Sequence, residues 1–163
     1  MPGVVLSAYS AVALDHAADV LRSGQLVVVP TDTVYGLAAA LTRPDAVARI
    51  YDVKRRPPER PIALLVDQIA EVEQVAAEIP EAARVLMEKF WPGGLTILLP
   101  KRPDVPDVIT AAGPTVAVRM PDHPVPRALI RRLGMPMPTT SANRHGMPSP
   151  KSAEDANAEI GAD

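Results

Sequence analysis

The sequence predicts an α/β fold, a single domain in which a twisted, mixed sheet of parallel and antiparallel strands is flanked by helices. Short apolar runs rich in valine and leucine are separated by longer segments in which apolar residues recur at helical spacing. The two kinds of segment do not alternate strictly, which favours a mixed sheet. The chain has 163 residues, of which 47% are hydrophobic, enough for one domain with its own core. No internal repeat or linker divides it, so residues 1–163 are predicted to form one domain.

The strands are predicted from short apolar runs in which β-branched residues are common. The clearest is the run Gln-Leu-Val-Val-Val-Pro at 25–30, which is expected to be a buried strand. The predicted strands span residues 25–30, 62–66, 95–99, 115–120 and 137–141.

Helices are predicted where apolar residues share one face and turn formers lie at the ends. Val12, Val20 and Leu21 share a face of the first helix, and Gly24 lies just beyond its end. Pro44 occupies the first turn of the second helix, a position that suits proline. The predicted helices span residues 10–23, 44–53, 68–77, 81–90, 124–133 and 152–160. The segments 31–37, 101–114 and 142–150 are predicted to be turns and loops.

Composition and charge exclude several classes of function. The net charge of −2 gives no general basic field for nucleic acid, so any anion site must be local. The absence of cysteine excludes disulfides, thiolate catalysis and cysteine-based zinc sites. The three histidines are scattered, which makes a Ser-His-Asp triad or a histidine metal site a minor alternative. With no secretory signal and no apolar run long enough to span a bilayer, we expect a cytoplasmic protein without a membrane partner.

Residues 54–61, Lys-Arg-Arg-Pro-Pro-Glu-Arg-Pro, form the most charged segment of the chain. It holds four cations, one anion and three prolines. Because proline fixes φ and disfavours helix, the cations are predicted to lie on a stiff, extended loop. Such a loop suits an anion of fixed geometry, for example the phosphates of a nucleotide. The alternative is a solvated surface turn, since Lys and Arg are usually exposed.

Polar side chains also follow the ends of three predicted strands. In α/β sheets, ligands tend to bind at the carboxyl ends of strands. Hydroxyl groups there can donate to phosphate or carboxylate oxygens, and an arginine can grip a carboxylate with two parallel bonds. The alternative is that these residues only form turns and helix caps. The residues are Thr31, Asp32, Thr33, Arg119, Thr139, Thr140, Ser141 and Asn143.

Five motifs together carry a resemblance to a known family. They are Pro-Thr-Asp-Thr-Val-Tyr-Gly-Leu at 30–37, Lys-Arg-Arg-Pro at 54–57, Phe-Trp-Pro-Gly at 90–93, Val-Ala-Val-Arg-Met-Pro at 116–121 with His-Pro at 123–124, and Ser-Ala-Asn at 141–143 followed by Gly146, Pro148, Ser149 and Pro150. In this order, over residues 10 to 155, the series resembles the YrdC-like domain family.

The resemblance implies an enzyme, L-threonylcarbamoyladenylate synthase, which is a nucleotidyltransferase. The family activity condenses L-threonine, bicarbonate or CO2, and ATP into threonylcarbamoyl-AMP and pyrophosphate, the first step toward threonylcarbamoyladenosine in tRNA. The chemistry needs no protein nucleophile, which agrees with the missing cysteine. The expected cofactor is Mg2+ carried by ATP, with no metal held by the protein's own side chains. The expected partners are ATP, L-threonine and bicarbonate, and beyond them tRNA or tRNA-modification proteins.

The resemblance also assigns roles to single residues. Lys54 and Arg56 are expected to be catalytic and to hold the ATP phosphates, the lysine as a point charge and the arginine as a fork. Three residues are expected to bind threonine, with the arginine pairing with its carboxylate: Thr31, Arg119 and Thr139. Four further residues are expected to bind the nucleotide: Thr115, Ser141, Asn143 and Ser149.

The sequence departs from the family pattern in several respects. Family members usually continue with further strands that help to close the nucleotide site, and we expect this domain to lack them. A Thr139-Thr140 pair precedes Ser141 where Pro-Ser or Ser-Ser is more usual. Leu65 stands where many members carry histidine. The alternative reading is therefore a catalytically weak paralogue that acts as an RNA- or nucleotide-binding module.

Overall fold

The computed structural model describes residues 3–162, which form helices on both sides of a six-stranded sheet. The helices are α1 (Ala11–Arg22), α2 (Pro44–Lys54), α3 (Glu81–Phe90), α4 (Asp107–Thr110), α5 (Pro124–Leu133) and α6 (Ala153–Ile160), with a 3₁₀ helix at Ile69–Gln74. The strands are β1 (Val27–Val29), β2 (Gly36–Ala38), β3 (Ala63–Leu65), β4 (Ile97–Pro100), β5 (Thr115–Arg119) and β6 (Met137–Ser141).

The sheet is mixed, as predicted. Its strand order is β1-β2-β6-β3-β5-β4. The pairing of β3 with β5 is parallel and the other pairings are antiparallel. The structure thereby confirms the α/β fold class.

Local capping signals fix several helix ends. Ser10 accepts a hydrogen bond from the Ala13 N–H at the start of α1, and Ser152 accepts one from Asp155 at the start of α6. Helix α5 ends at Gly134, whose φ of 72° is a left-handed conformation that glycine adopts without strain. The bounds predicted for α3, α5 and β6 are confirmed.

Three predictions along the chain are wrong. The segment predicted as a turn at 31–37 contains the start of β2, and the predicted loop at 101–114 contains the short helix α4. The helix predicted at 68–77 is only a 3₁₀ helix at Ile69–Gln74. Strand β2 has little β propensity of its own and is a strand because β1 and β6 pair with its two edges.

The two faces of the sheet are covered to different extents. One face is buried under α2, α3 and their connections, and five of its strand residues are at most 3% exposed: Leu37, Leu64, Leu99, Val116 and Val118. On the other face, α1 and α5 cover β1, β2 and the start of β6, where Leu21 and Leu129 pack with Val29 and Met137. The rest of this second face carries no such cover.

Among residues 3–162, every helix is too short or too polar to cross a bilayer.

Candidate functional site

The uncovered half of the second sheet face, here called the open sheet face, carries four of the nine predicted site residues. Side chains alternate along a strand, so residues paired in register share a face. Arg119 is in register with Leu65, and Leu65 with Met137. Two residues further along each strand, the same face presents Ala117, Ala63 and Thr139, and beyond them Thr115 and Ser141. Small alanines therefore form the floor, and polar residues surround it.

The predicted residues fall at two ends of this face. Thr115 and Arg119 are the first and last residues of β5, so they are separated by about 13 Å at 3.3 Å per residue. By the strand registers, Thr115 and Ser141 lie toward one end and Arg119 lies at the other. An extended ligand could contact both ends at once.

Arg119 is held in place at its end of the face by three contacts. Its Nε donates to the carbonyl oxygen of Gly93 at 2.9 Å. Its Nη1 donates to Thr33 Oγ1 at 3.3 Å, and its Nη2 donates to Asp32 Oδ1 at 2.6 Å. The Phe-Trp-Pro-Gly motif thus supplies a backbone acceptor that orients the guanidinium.

Thr31 begins the turn that meets Arg119. Its hydroxyl accepts from the Thr33 and Val34 N–H groups, both at 3.2 Å, and donates to the Val34 carbonyl at 2.6 Å. These local bonds close the turn, as the turn interpretation of the sequence expected. The turn also lies close to the sheet, because a Cβ built on Gly36 would stand 3.8 Å from Thr31 Cγ2.

Thr139 lies beside this turn on β6. It is buried, and its hydroxyl donates to the Met137 carbonyl at 3.1 Å. A Cβ on Gly36 would stand only 2.7 Å from Thr139 Cγ2, so the missing side chain of Gly36 allows β2 and Thr139 to approach. The three residues predicted to bind threonine, Thr31, Arg119 and Thr139, are therefore brought to one region.

Lys54 is the last residue of α2 and is buried, with 1% of its surface exposed. Its Nζ donates to the backbone carbonyls of Ser141 and Asn143. Burial lowers the pKa of Lys54 to about 8; the positive charge of Arg56 acts in the same direction, and the carboxylate of Glu159 opposes it. The ammonium thus ties the end of α2 to the loop after β6.

The prediction of a wholly extended basic loop is wrong. Lys54 belongs to a helix, and Arg55 caps that helix in a left-handed conformation with φ of 49°. Arg56 then turns back on the loop, donating from Nε to the Arg60 carbonyl at 3.2 Å and from Nη2 to the Pro61 carbonyl at 2.9 Å. Desolvation lowers the pKa of Arg56, and its guanidinium remains half-buried beside Lys54.

The loop after β6 holds the remaining predicted nucleotide residues. Asn143 is buried, and its amide nitrogen donates to the carbonyls of Arg144 and Met147 at 2.9 and 2.7 Å. The Arg144 N–H donates to Glu159 Oε1 at 3.2 Å, which fastens the loop to α6. Ser149 lies on the exposed part of this loop.

One cavity lies elsewhere. It measures about 510 Å³ and surrounds the edge strand β1, between α1, α6 and residues 3–8. Its lining is mainly aliphatic, and of the predicted site residues it touches none. It therefore differs from the open sheet face in both place and chemistry.

Sequence reasoning missed how the site is held together. Asp32 and Thr33 were recognised only as strand-end polar residues, and their contact with Arg119 joins segments 86 or more residues apart. The role of Glu159 was missed as well. The only sequence signal for these contacts was the clustering of polar residues after strands.

Fold and site define an α/β domain with an open sheet face that has Arg119 at one end, while the buried Lys54 is bonded to the loop that leaves the other end; this arrangement suits an anionic ligand. Residues 19–163 match the model of the Sua5/YciO/YrdC family, whose description is telomere recombination. The chain belongs to this family.

Two curated relatives named threonylcarbamoyl-AMP synthase are each 47% identical to the chain. The one from Bacillus subtilis (strain 168) aligns over 121 residues, 74% of this chain and 35% of the relative. The one from Pyrococcus abyssi (strain GE5 / Orsay) aligns over 114 residues, 70% of this chain and 34% of the relative. The chain therefore spans about a third of the length of these relatives.

Solved structures agree with the fold. P. abyssi Sua5 complexed with L-threonine superposes with a TM-score of 0.88 at 40% identity, over 97% of this chain and 46% of that chain. E. coli YciO superposes with a TM-score of 0.80 at 25% identity, over 94% of this chain and 73% of that chain.

Proposed function

We propose that this domain carries out the adenylate-forming step of a threonylcarbamoyl-AMP synthase. The substrates would be L-threonine, bicarbonate or CO2, and ATP, and the products threonylcarbamoyl-AMP and pyrophosphate. The protein would act in the cytoplasm as a nucleotidyltransferase that serves tRNA modification, with tRNA or tRNA-modification proteins as its further partners.

The observation that carries this proposal is the open sheet face with Arg119 at one end and, at the other, the loop after β6 to which Lys54 is bonded. Arg119 at one end suits the carboxylate of an amino acid, and Lys54 with Arg56 at the other suits phosphates. The names of the curated relatives and the threonine complex of the P. abyssi relative support the same substrates.

In this mechanism the protein contributes position and charge. Threonine whose amine has been carboxylated would lie with its α-carboxylate at Arg119 and its carbamate directed along the sheet. A carbamate oxygen attacks the α-phosphorus of ATP, and the bond to pyrophosphate breaks. No covalent bond to the protein forms, so catalysis rests on holding two anions in line and offsetting charge on the phosphates.

We propose that the phosphates meet the remaining N–H of Lys54, which is buried in this structure, while the lysine keeps its present bonds. An ammonium has three N–H donors, and two of them are used by the Ser141 and Asn143 carbonyls. Ser141, Asn143, Ser149 and Thr115 would line the nucleotide around it. Mg2+ brought with ATP would be held chiefly by phosphate oxygens and water, and it would offset their negative charge. Within residues 3–162 no group of three or more His, Cys, Asp or Glu side chains is arranged to hold a metal.

Pyrophosphate release tests the proposal directly. The purified protein is incubated with ATP, Mg2+, bicarbonate and with or without L-threonine, and release is expected only with threonine. Arg56→Ala is expected to lower the rate by about tenfold or more, because a phosphate contact is lost. Arg60→Ala, an exposed arginine of the same loop, is the matched control and should leave the rate unchanged.

Release that does not depend on threonine, or no release from a folded protein, would contradict the proposal. Binding of nucleotide or RNA without turnover would instead favour the binding-module alternative.

A further inference from the structure

Asp32 occupies the partner position of the arginine that is proposed to bind the substrate carboxylate. Its Oδ1 lies 2.6 Å from Arg119 Nη2. The other two nitrogens of the guanidinium are also engaged, Nε by the Gly93 carbonyl and Nη1 by Thr33. An incoming carboxylate therefore meets an arginine whose positive charge is already paired with the Asp32 carboxylate.

The surroundings strengthen this ion pair. The side chains of Arg119 and Asp32 are only 14% and 18% exposed. Leu65, in register beside Arg119, is a buried apolar neighbour. Charges attract and repel more strongly where water is partly excluded.

We infer that Asp32 is an internal counter-ion that competes with the ligand's carboxylate for Arg119 and so sets the affinity of the site for acids. A bound carboxylate must displace Asp32 or share the guanidinium with it, and both cost binding free energy. Because Asp32 lies in the turn closed by Thr31, displacement of Asp32 would break a contact that joins this turn to Arg119. The inference rests on the proposed carboxylate role of Arg119.

Acetate isolates the carboxylate from the rest of the substrate. The Arg119 Nε–H signal, identified by its loss in Arg119→Lys, is followed by NMR during an acetate titration of the wild type, Asp32→Asn and Asp122→Asn. Asparagine keeps the size and hydrogen-bonding oxygen of Asp32 but removes its charge. Asp122 is exposed and close in sequence to Arg119, so it controls for the loss of one negative charge. Asp32→Asn is expected to bind acetate about tenfold more tightly, and Asp122→Asn as the wild type does.

Equal or weaker acetate binding by Asp32→Asn, with an otherwise unchanged spectrum, overturns the inference. The acetate titration needs no amino acid, so it tests the role of Asp32 even if the protein binds no threonine. A failure to bind threonine would count against the proposed function alone.

Calorimetry with two amino-acid probes gives a second, independent readout. Asp32→Asn is expected to tighten binding of L-threonine several-fold while leaving L-threoninamide, which lacks the carboxylate, no tighter than in the wild type. If both probes bind more weakly, Asp32 holds the amino group instead. If only L-threonine binds more weakly, Asp32 positions Arg119 for its ligand. Either result would contradict the inference that Asp32 competes with the ligand's carboxylate for Arg119.

Discussion

At the scale of single residues, Lys54 shows how a buried charge can be kept and tuned. The backbone carbonyls of Ser141 and Asn143 accept from its ammonium, while burial lowers its pKa to about 8. The carboxylate of Glu159 acts in the opposite direction and raises the pKa of Lys54. A cation that must meet phosphates is therefore held near the point where it loses its proton.

This environment predicts an alkaline limit to activity. Lys54 carries its charge below about pH 8 and loses it as the pH rises through that value. If the charge serves the phosphates, kcat/KM for ATP falls over the same range, because this parameter reports the free enzyme. The measurement is the pH dependence of pyrophosphate release at limiting ATP.

The variant Glu159→Gln tests whether the titration of Lys54 causes this alkaline limit. Removing this carboxylate takes away the interaction that raises the pKa of Lys54, so the alkaline fall moves to lower pH. Glu154→Gln, an exposed glutamate on the same helix, should leave the profile in place. A profile that is identical in Glu159→Gln and the wild type would show that another group sets the limit.

The sequence identified cations of this kind by residue type but not by environment. Lys54 stood out as part of the most charged segment of the chain, and Arg119 as a charge at the end of an apolar strand. That Lys54 is buried, and that Asp32 faces Arg119, depends on contacts between residues 86 or more positions apart. Periodicity and local propensity carry no information about such contacts.

At the scale of elements, the strand that sequence reasoning missed is the one that brings the site together. Strand β2 consists of Gly36, Leu37 and Ala38, and it pairs with β1 and β6. In contrast, α5 has proline at its first turn and a glycine stop, and it was predicted with its bounds. Elements with their own start and stop signals can be predicted from sequence, whereas β2 is a strand only because it pairs with β1 and β6.

The close approach of β2 and β6 predicts a steric coupling between Gly36 and Thr139. Gly36→Ala places a methyl group 2.7 Å from Thr139 Cγ2 and is expected to lower the free energy of unfolding by about 1–3 kcal/mol. Thr139→Ser removes that Cγ2 atom, so the cost of Gly36→Ala should be smaller in the Thr139→Ser background. Urea unfolding of the four proteins of this double-mutant cycle measures the coupling.

Gly94→Ala is the matched control for this cycle, because nothing lies within 4 Å of a Cβ built there. Its effect should be the same with threonine or serine at 139. An equal cost of Gly36→Ala in both backgrounds would contradict the steric contact.

At the scale of the whole molecule, the unequal cover of the two sheet faces separates stability from function. The covered face supplies the larger core, and the open sheet face supplies the candidate site. The composition and the spacing of apolar runs were enough to predict one α/β domain. The position of the open sheet face depends on strand order and register, because a shift of one residue in register turns every side chain of a strand to the other face.

This division predicts that the open sheet face can be blocked without unfolding the protein. Ala117 lies at the centre of that face, partly exposed and paired with Leu98, which is 65% exposed on the edge strand β4. Ala117→Leu adds three carbon atoms above the floor, where they would overlap a ligand that lies between Arg119 and Ser141. We expect the affinity for a non-hydrolysable ATP analogue to fall by about tenfold or more, while the free energy of unfolding changes by less than about 1 kcal/mol. Ala82→Leu makes the same change on the exposed side of α3 and should alter neither quantity. Undiminished binding by Ala117→Leu, measured by calorimetry on protein with a normal unfolding transition, would place the nucleotide away from this face.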